Sequence, residues 1–477
     1  MDNQMDNPKI ILVGAGIVSN VFAFLLKQLK YNVTVYEKCV SPTQFKTQGK
    51  SINLAYSCRG QKAMEDAKID ITDTVPMRGR LLHKSNNTHF LTYSQFGEEL
   101  LSINRNEFNA TLYEHAKQHG VKYYFEHCVH DIDFDKKIMY VADNNNVTHN
   151  VQYDFLFGTD GSNTTIGNLL NNYHKQDQPI WQYIELEIEA TNEGDFKMSD
   201  VENFHIWPSS KYLFLIGLPN KNGTFTLTLF VHVDNEDKID LRTIQSKGDF
   251  YRFQNIIASI VTNKKELDLI EIKKSFFENK VSYIYTRKSN IFMNNTQSVA
   301  LLGDSLISPP PFLGLACNVH INMANILAEL IKKYNETMSR TEALRKALTE
   351  FYNTQMTNMF ALYDASVENA KVLSHSDPNY ELKHKLTLYL EVQYLDLFIE
   401  PHSMYSFKHM QLSEARFRQI LQDDMLSSLV EFPNVVDEFT KTSDLNAILT
   451  NNTEFIKDIH TKMEWYKTEL KLWHKKN

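Results

Sequence analysis

Three short motifs in this 477-residue chain combine residue types and placement that could do chemistry. The first is Gly14-Ala15-Gly16, which follows the apolar run Lys9–Val13 and precedes the helical pattern Ile17–Leu29. A glycine at the turn and a second where backbone must approach a ligand suit a pyrophosphate held on a helix N-terminus. Glu37 ends the next apolar run, Asn32–Tyr36, where an acid is placed to hydrogen-bond a ribose. The third position of the dinucleotide pattern is Ser19 rather than glycine, which leaves open a Rossmann-like unit without its ligand. The other two motifs, Asp160-Gly161 and Gly303-Asp304, each close an apolar strand and could set a carboxylate on a polyol hydroxyl.

These motifs need elements to position them. Lys9–Val13, Ile17–Leu29 and Asn32–Tyr36 read as strand, helix and strand, the start of a βαβ unit. Arg105–His119 reads as a helix, and Val121–Cys128, Lys137–Val141 and Phe155–Phe157 as strands. From 180 to 290 the pattern alternates, in Tyr183–Ile188, His205–Trp207, Tyr212–Leu218, Thr224–His232 and Glu271–Phe276, which predicts a largely antiparallel sheet. Val299–Leu302 is a returning strand, followed by a Pro-rich turn and a helix from about Asn318 to Lys333. Glycine is scarce at 16 residues, about half of average usage. None follows Gly314, and 340–477 reads as wholly helical. The fold class is α/β, an α+β composite. The expected division is a Rossmann-type nucleotide-binding domain in three parts (1–66, 101–172, 293–338), an antiparallel-sheet domain (67–100, 173–292) and a helical C-terminal region (339–477).

Composition narrows the function further. Charged residues are 23% and hydrophobic ones 42%, an ordinary globular balance. The net charge of −8 argues against nucleic-acid binding, which needs a basic face. Cys39, Cys58, Cys128 and Cys317 are scattered, which fits reduced thiols and no structural metal. No apolar run reaches the ~18 residues of a membrane span. The N-terminus lacks a secretory pattern, so a soluble, cytoplasmic protein is expected.

Taken in order, the three motifs form the pattern of single-component flavoprotein hydroxylases. Within that group the chain resembles the kynurenine 3-monooxygenase family. The segments that carry the resemblance are Gly49-Lys50-Ser51-Ile52-Asn53-Leu54-Ala55 with Arg59-Gly60, Pro76-Met77-Arg78-Gly79-Arg80, Leu101-Ser102-Ile103-Asn104-Arg105, His205-Ile206-Trp207-Pro208, and Leu218-Pro219-Asn220 leading to Thr226–Phe230. The resemblance implies an enzyme that uses FAD, with NADPH as a transient reductant lacking a Rossmann site of its own. Dioxygen then adds to the flavin to give a hydroperoxide, which hydroxylates the ring of L-kynurenine or a similar aromatic amino acid at its 3-position.

The same resemblance assigns residues. Arg80 and Tyr93 would hold the substrate carboxylate, and Glu368 would lie near its amine. Ile216, Leu218, Phe230 and Phe312 would wall the pocket, with His402 at the place of a pocket tyrosine. Gly14, Gly16, Ser19, Glu37, Leu54, Ala55, Arg105, Asp160, Asp304, Pro311, Gly314 and Asn318 would meet the cofactor. No acid or base is assigned. Departures accompany the matches: Ile307 replaces a histidine, Ala316 a loop glycine, Gly167 an arginine and Ala365 an asparagine. Two alternatives follow from them, a hydroxylase of the same family with a changed aromatic substrate and a non-catalytic relative with weakened FAD binding. Eukaryotic members commonly end in a membrane segment, whereas Lys471–Asn477 is mostly polar and basic.

Overall fold

The computed structural model describes residues 7–45, 53–84, 87–93, 96–171, 181–208, 213–235, 238–244, 250–261, 269–374, 379–432, 434–442 and 444–476. Its architecture is mixed α/β. A five-stranded sheet runs in the spatial order Val299–Leu301, Phe155–Gly158, Lys9–Val13, Asn32–Tyr36, Lys122–Tyr124. Every pairing in it is parallel. Parallel strands need crossovers that cover both faces, so they read as continuous apolar runs. Ile10, Ile11 and Leu12 are accordingly fully buried. The helix Ile17–Gln28 makes the first crossover, and nine of its residues from Ile17 to Leu26 are buried. A helix apolar on all sides belongs inside, and this one lies between the sheet and the helices Arg105–Gln118 and Ala316–Asn335.

The second large sheet has seven strands, in the order Ser282–Ile284, Trp181–Ile188, Phe225–His232, Leu213–Pro219, Phe204–Trp207, Gly79–Lys84, Asn87–Thr92. All neighbours are antiparallel except Phe204–Trp207 and Gly79–Lys84, which run parallel. The strand period of two gives each strand two jobs. Leu213, Leu215, Leu227, Leu229 and Val231 pack on one face, in a core shared with Phe253 and Ile257 of the helix Phe250–Ile260. Phe214, Ile216, Leu218 and Phe230 face the other way, where Phe214 pairs with Phe230.

The strand expected over Glu271–Phe276 is instead part of the helix Leu269–Glu278. Ile272 and Phe276 are four residues apart and both buried in that core, a helical spacing that outweighs the apparent alternation. The single strand expected over Val121–Cys128 is also divided. Lys122–Tyr124 joins the parallel sheet and Cys128–Asp133 a separate antiparallel one. Glu126 takes a left-handed conformation between them (φ 56°) and turns the chain out.

A three-stranded sheet of Asn53–Tyr56, Leu100–Asn104 and Val75–Met77 joins the two halves. The C-terminal part contains the helices Arg340–Ser374, Tyr380–Gln393, Pro401–Ser406, Leu412–Val430, Val435–Thr442, Leu445–Asn451 and Thr453–Lys476, and no strand among its described residues. No helix among the described residues is long and apolar enough to cross a membrane.

Candidate functional site

The dinucleotide end of the site starts at Gly14. Its φ is +103°, and a β-carbon there would sit 2.5 Å from the Thr159 carbonyl oxygen, so only glycine fits. Gly16 precedes the helix Ile17–Gln28, which has no side-chain cap and no acid in its first turn. A β-carbon at Gly16 would meet nothing within 4 Å. This combination leaves an open helix start with its amide dipoles uncompensated, a geometry suited to an anion. Ser19 is fully buried, and its hydroxyl has no hydrogen-bond partner among the described residues. The Glu37 carboxylate accepts from Ala15 N at 2.7 Å and Cys39 N at 2.8 Å, which ties it to the glycine loop. Each oxygen keeps a second lone pair for another donor.

Further along, the carboxylates are held by the chain itself. Asp160 accepts from Thr164 Oγ1, Thr165 N at 2.7 Å and Ile166 N at 3.1 Å, which fixes the start of the helix Thr165–Asn171. Burial pushes its carboxyl up against the pull of those bonds. At Asp304, desolvation is outweighed by the His320 hydrogen bond and the charges of His320 and Arg105, and the carboxyl ends below its ordinary value. His320 Nδ1 lies 3.2 Å from Asp304 Oδ1. Arg105, exposed at the start of its helix, also acts on Cys317, whose thiol burial drives up to about 12. Arg105, Asp304 and Cys317 therefore converge beside the start of the helix Ala316–Asn335.

Asn318 is buried and spans to the neighbouring strand, donating from Nδ2 to Ala55 O at 2.8 Å and accepting at Oδ1 from Ser57 N at 2.9 Å. Gly314, at φ +72°, faces Ala55 across this joint, and Pro311 opens the turn before it. Leu54 is half-buried on the same strand. The remaining residues of that segment, Gly49 to Ile52, lie outside the described residues.

Two departures acquire a physical reading. A β-carbon at Gly167 would lie 2.8 Å from Arg287 Nη2, so the guanidinium beside this turn comes from Arg287. Arg287 Nη1 is anchored 2.9 Å from Asn168 Oδ1. Ile307 is fully buried in the short strand Ile307–Ser308, paired with Arg287–Lys288.

The other end of the site is walled by the seven-stranded sheet. Phe312 packs edge-on against Trp181, Phe214 and Phe230, with ring centroids 4.8–5.3 Å apart. Ile216 continues this surface toward a cluster of Met77, Tyr93, Leu218 and Phe407. Asn53 links the sheets, donating to Asn220 Oδ1 at 2.7 Å and Ser102 Oγ at 3.1 Å.

Arg80 lies beside that cluster, with its guanidinium carbon 5.7 Å from the Tyr93 ring centroid. Its Nε is buried and has no hydrogen-bond partner among the described residues. His402 stacks on Tyr93 with centroids 4.9 Å apart, and desolvation with the nearby Arg80 charge lowers its imidazole to about 3. Glu368 lies on the helix Arg340–Ser374, where its charge helps burial raise Asp423 to about 6, and its neighbour Asn369 donates to Phe312 O at 2.7 Å. Ala365 is buried on the same helix.

Sequence reasoning missed Glu400 and His384. Glu400 Oε1 is 3.8 Å from Arg80 Nη2, and burial raises this carboxyl to about 7 against the pull of Arg80. His384 is lowered to about 4 by desolvation, then by Arg80 and Lys385, and its Nε2 is buried without a partner among the described residues. The only sequence signal was Glu400-Pro401, a helix-start pattern that says nothing about Arg80. Arg59 locks this region, donating from Nε to Tyr405 O at 3.0 Å and from Nη2 to Lys408 O at 2.7 Å.

No family model matches the chain. Kynurenine 3-monooxygenase of Flavobacterium johnsoniae is 27% identical over 453 residues, covering 92% of this chain and 98% of that protein. The Saccharomyces cerevisiae protein of the same name is 28% identical over 431 residues, covering 84% and 89%. Among solved structures, PqsL of Pseudomonas aeruginosa in complex with 2-aminobenzoylacetate aligns with a TM-score of 0.60 at 14% identity, over 77% of this chain and 97% of that one. For 2,6-dihydroxypyridine-3-hydroxylase from Arthrobacter nicotinovorans the TM-score is 0.60 at 15% identity, over 79% and 96%. An HpxO variant of Klebsiella pneumoniae complexed with FAD gives 0.57 at 18%, over 81% and 94%. The chain thus resembles kynurenine 3-monooxygenases along about nine-tenths of its length, and its fold is that of FAD-dependent monooxygenases.

Proposed function

We propose that this chain is an FAD-dependent, NADPH-consuming monooxygenase that hydroxylates an aromatic amino acid, with L-kynurenine hydroxylated at its 3-position. The observation that carries this reading is Arg80. It is a largely buried guanidinium beside Tyr93 with a buried donor left unmatched, at the end of an apolar, aromatic-lined surface. A planar donor fork of this kind suits a carboxylate.

The residues present fit FAD. Gly14 and Gly16 leave the open helix start for a pyrophosphate, and Glu37 is tied to that loop where a ribose would lie. Leu54, Ala55, Pro311, Gly314 and Asn318 would border the ring, with Arg105, Asp160 and Asp304 as the polar groups around it. FAD, reduced by NADPH, supplies dioxygen activation when bound. The chain's own part is to bind and exclude. Arg80 and the Tyr93 hydroxyl hold the carboxylate end, while Ile216, Leu218, Phe230 and Phe312 orient the substrate ring and keep water from it. His402, neutral and stacked on Tyr93, fixes that ring.

A second reading, the same scaffold with a changed aromatic substrate, is favoured by one observation: His402 stacks on Tyr93 at the place where the resemblance expects a pocket tyrosine. NADPH consumption by FAD-loaded protein, measured with and without L-kynurenine alongside mass analysis of the product, tests both. Stimulation with a mono-oxygenated product supports the first. Bound FAD without stimulation supports the second. Protein that takes up no FAD contradicts both.

A further inference from the structure

We infer that Glu400 is a specificity-determining residue that receives the ammonium group of an α-amino-acid substrate whose carboxylate lies on Arg80. The inference rests on the proposed function and assigns the second half of the same binding site. A buried guanidinium and carboxylate normally close to about 2.7–2.9 Å in a charge-assisted bond. Here Arg80 Nη2 and Glu400 Oε1 stand 3.8 Å apart, which is too long for a hydrogen bond.

The gap is held open from both sides. Glu400 Oε2 accepts from Ser403 N at 2.7 Å, which pins the carboxylate and leaves Oε1 toward Arg80. Arg80 comes from the strand Gly79–Lys84, in register with Phe204 and Leu91 on its two neighbours. Two buried polar atoms close to this gap, Arg80 Nε and His384 Nε2, have no partner among the described residues. Buried polar groups without partners are rare, and one explanation is a ligand that completes them.

The charges specify the ligand's chemistry. Arg80 carries a positive charge, Glu400, raised to about 7, is drawn to its ionised form by a cation beside it, and His384 and His402 are held neutral. The other titratable groups facing Glu400 are Tyr93 and Glu391. A zwitterionic head, with its two charges on one carbon, answers each of the pair with its opposite. A plain carboxylic acid would set a second anion against Glu400, which like-charge juxtaposition penalises.

The test uses FAD-loaded enzyme, with binding followed by perturbation of the flavin spectrum. The probes are L-kynurenine and its des-amino analogue, 4-(2-aminophenyl)-4-oxobutanoate. Wild type is expected to prefer the amino acid. Glu400→Gln, which retains an acceptor for Ser403 N, should weaken L-kynurenine by roughly 10- to 100-fold and leave the analogue unchanged or tighter. Glu400→Asp should restore part of the preference, a readout that a purely structural role would not give. Equal weakening of both probes, or tighter L-kynurenine binding in Glu400→Gln, overturns the inference. If neither probe binds wild type, the proposed function fails along with it. If both bind wild type equally, only the role of Glu400 fails.

Discussion

The two ends of the site differ in how their polar groups are satisfied. At the dinucleotide end nearly every carboxylate and amide is held by the chain. Glu37 is tied to the glycine loop, Asp160 to the helix after it, Asp304 to His320 and Asn318 to Ala55 and Ser57. What stays open there is chiefly backbone, the uncapped start of the helix Ile17–Gln28, together with the buried Ser19 hydroxyl and His320 Nε2, which have no hydrogen-bond partner among the described residues. At the other end the backbone is ordinary strand and helix, and the side chains are unfinished. Arg80 Nε and His384 Nε2 are buried without partners among the described residues, and Arg80 and Glu400 stand apart. A cofactor that stays bound suits a preformed cradle, whereas a substrate that comes and goes suits side chains completed on binding. The difference teaches where to look for each: an open helix start marks the first, and a buried pair of opposite groups that does not close marks the second.

The sharpest way to break this contrast is Gly14→Ala. At φ +103°, with a β-carbon 2.5 Å from the Thr159 carbonyl, the loop must move. Flavin retention should be lost, with destabilisation of roughly 3 kcal/mol or more, as read by urea denaturation and the visible spectrum. Next comes Arg80→Met, which should lower kcat/KM for the amino-acid substrate by roughly 100- to 1,000-fold while the protein stays yellow. Loss of flavin in that variant would mean that the two ends are not separable.

The contrast was only partly legible in the sequence. Gly14, Gly16 and Glu37 lie within one short βαβ unit, so local pattern and spacing suffice to place them. Arg80 and Tyr93 could be named only through resemblance. Glu400 and His384 could not be named at all, because their meeting with Arg80 depends on how the C-terminal helices dock against the sheet, and Arg59 and Cys58 hold that docking through the carbonyls of 405–408. Gly167 illustrates the same limit. Sequence registers a missing arginine, while the fold brings Arg287 beside the vacancy. Over Glu271–Phe276 the error lay in the period, since alternation and i,i+4 spacing share positions in so short a run.

Acid should expose the contrast on a smaller scale. Burial holds His83, His205 and His384 at about 4 and His402 at about 3, against an ordinary 6.5. A depressed histidine contributes stability that is complete above 6.5 and is lost as pH falls toward the folded value. At pH 5 each should cost about 2 kcal/mol relative to pH 8. Replacing His402 with Gln should flatten the acid limb of a denaturation profile by about that amount. Glu400 runs the opposite way. Its raised value of about 7 contributes most below 4.5, and that contribution is lost as pH rises toward 7. The smallest expected effect is at the cofactor joint. Asn318→Ala removes the bonds to Ala55 O and Ser57 N and should cost about 1–2 kcal/mol in thermal or urea unfolding, with weaker flavin retention.

The central claim, an amino-acid site built on Arg80 beside a bound flavin, is tested most directly by titrating FAD-loaded protein with L-kynurenine and following the visible flavin spectrum in wild type and Arg80→Met. The account predicts a saturable perturbation in wild type that is absent from the equally yellow variant. A colourless wild type, or the same perturbation in both proteins, would contradict it.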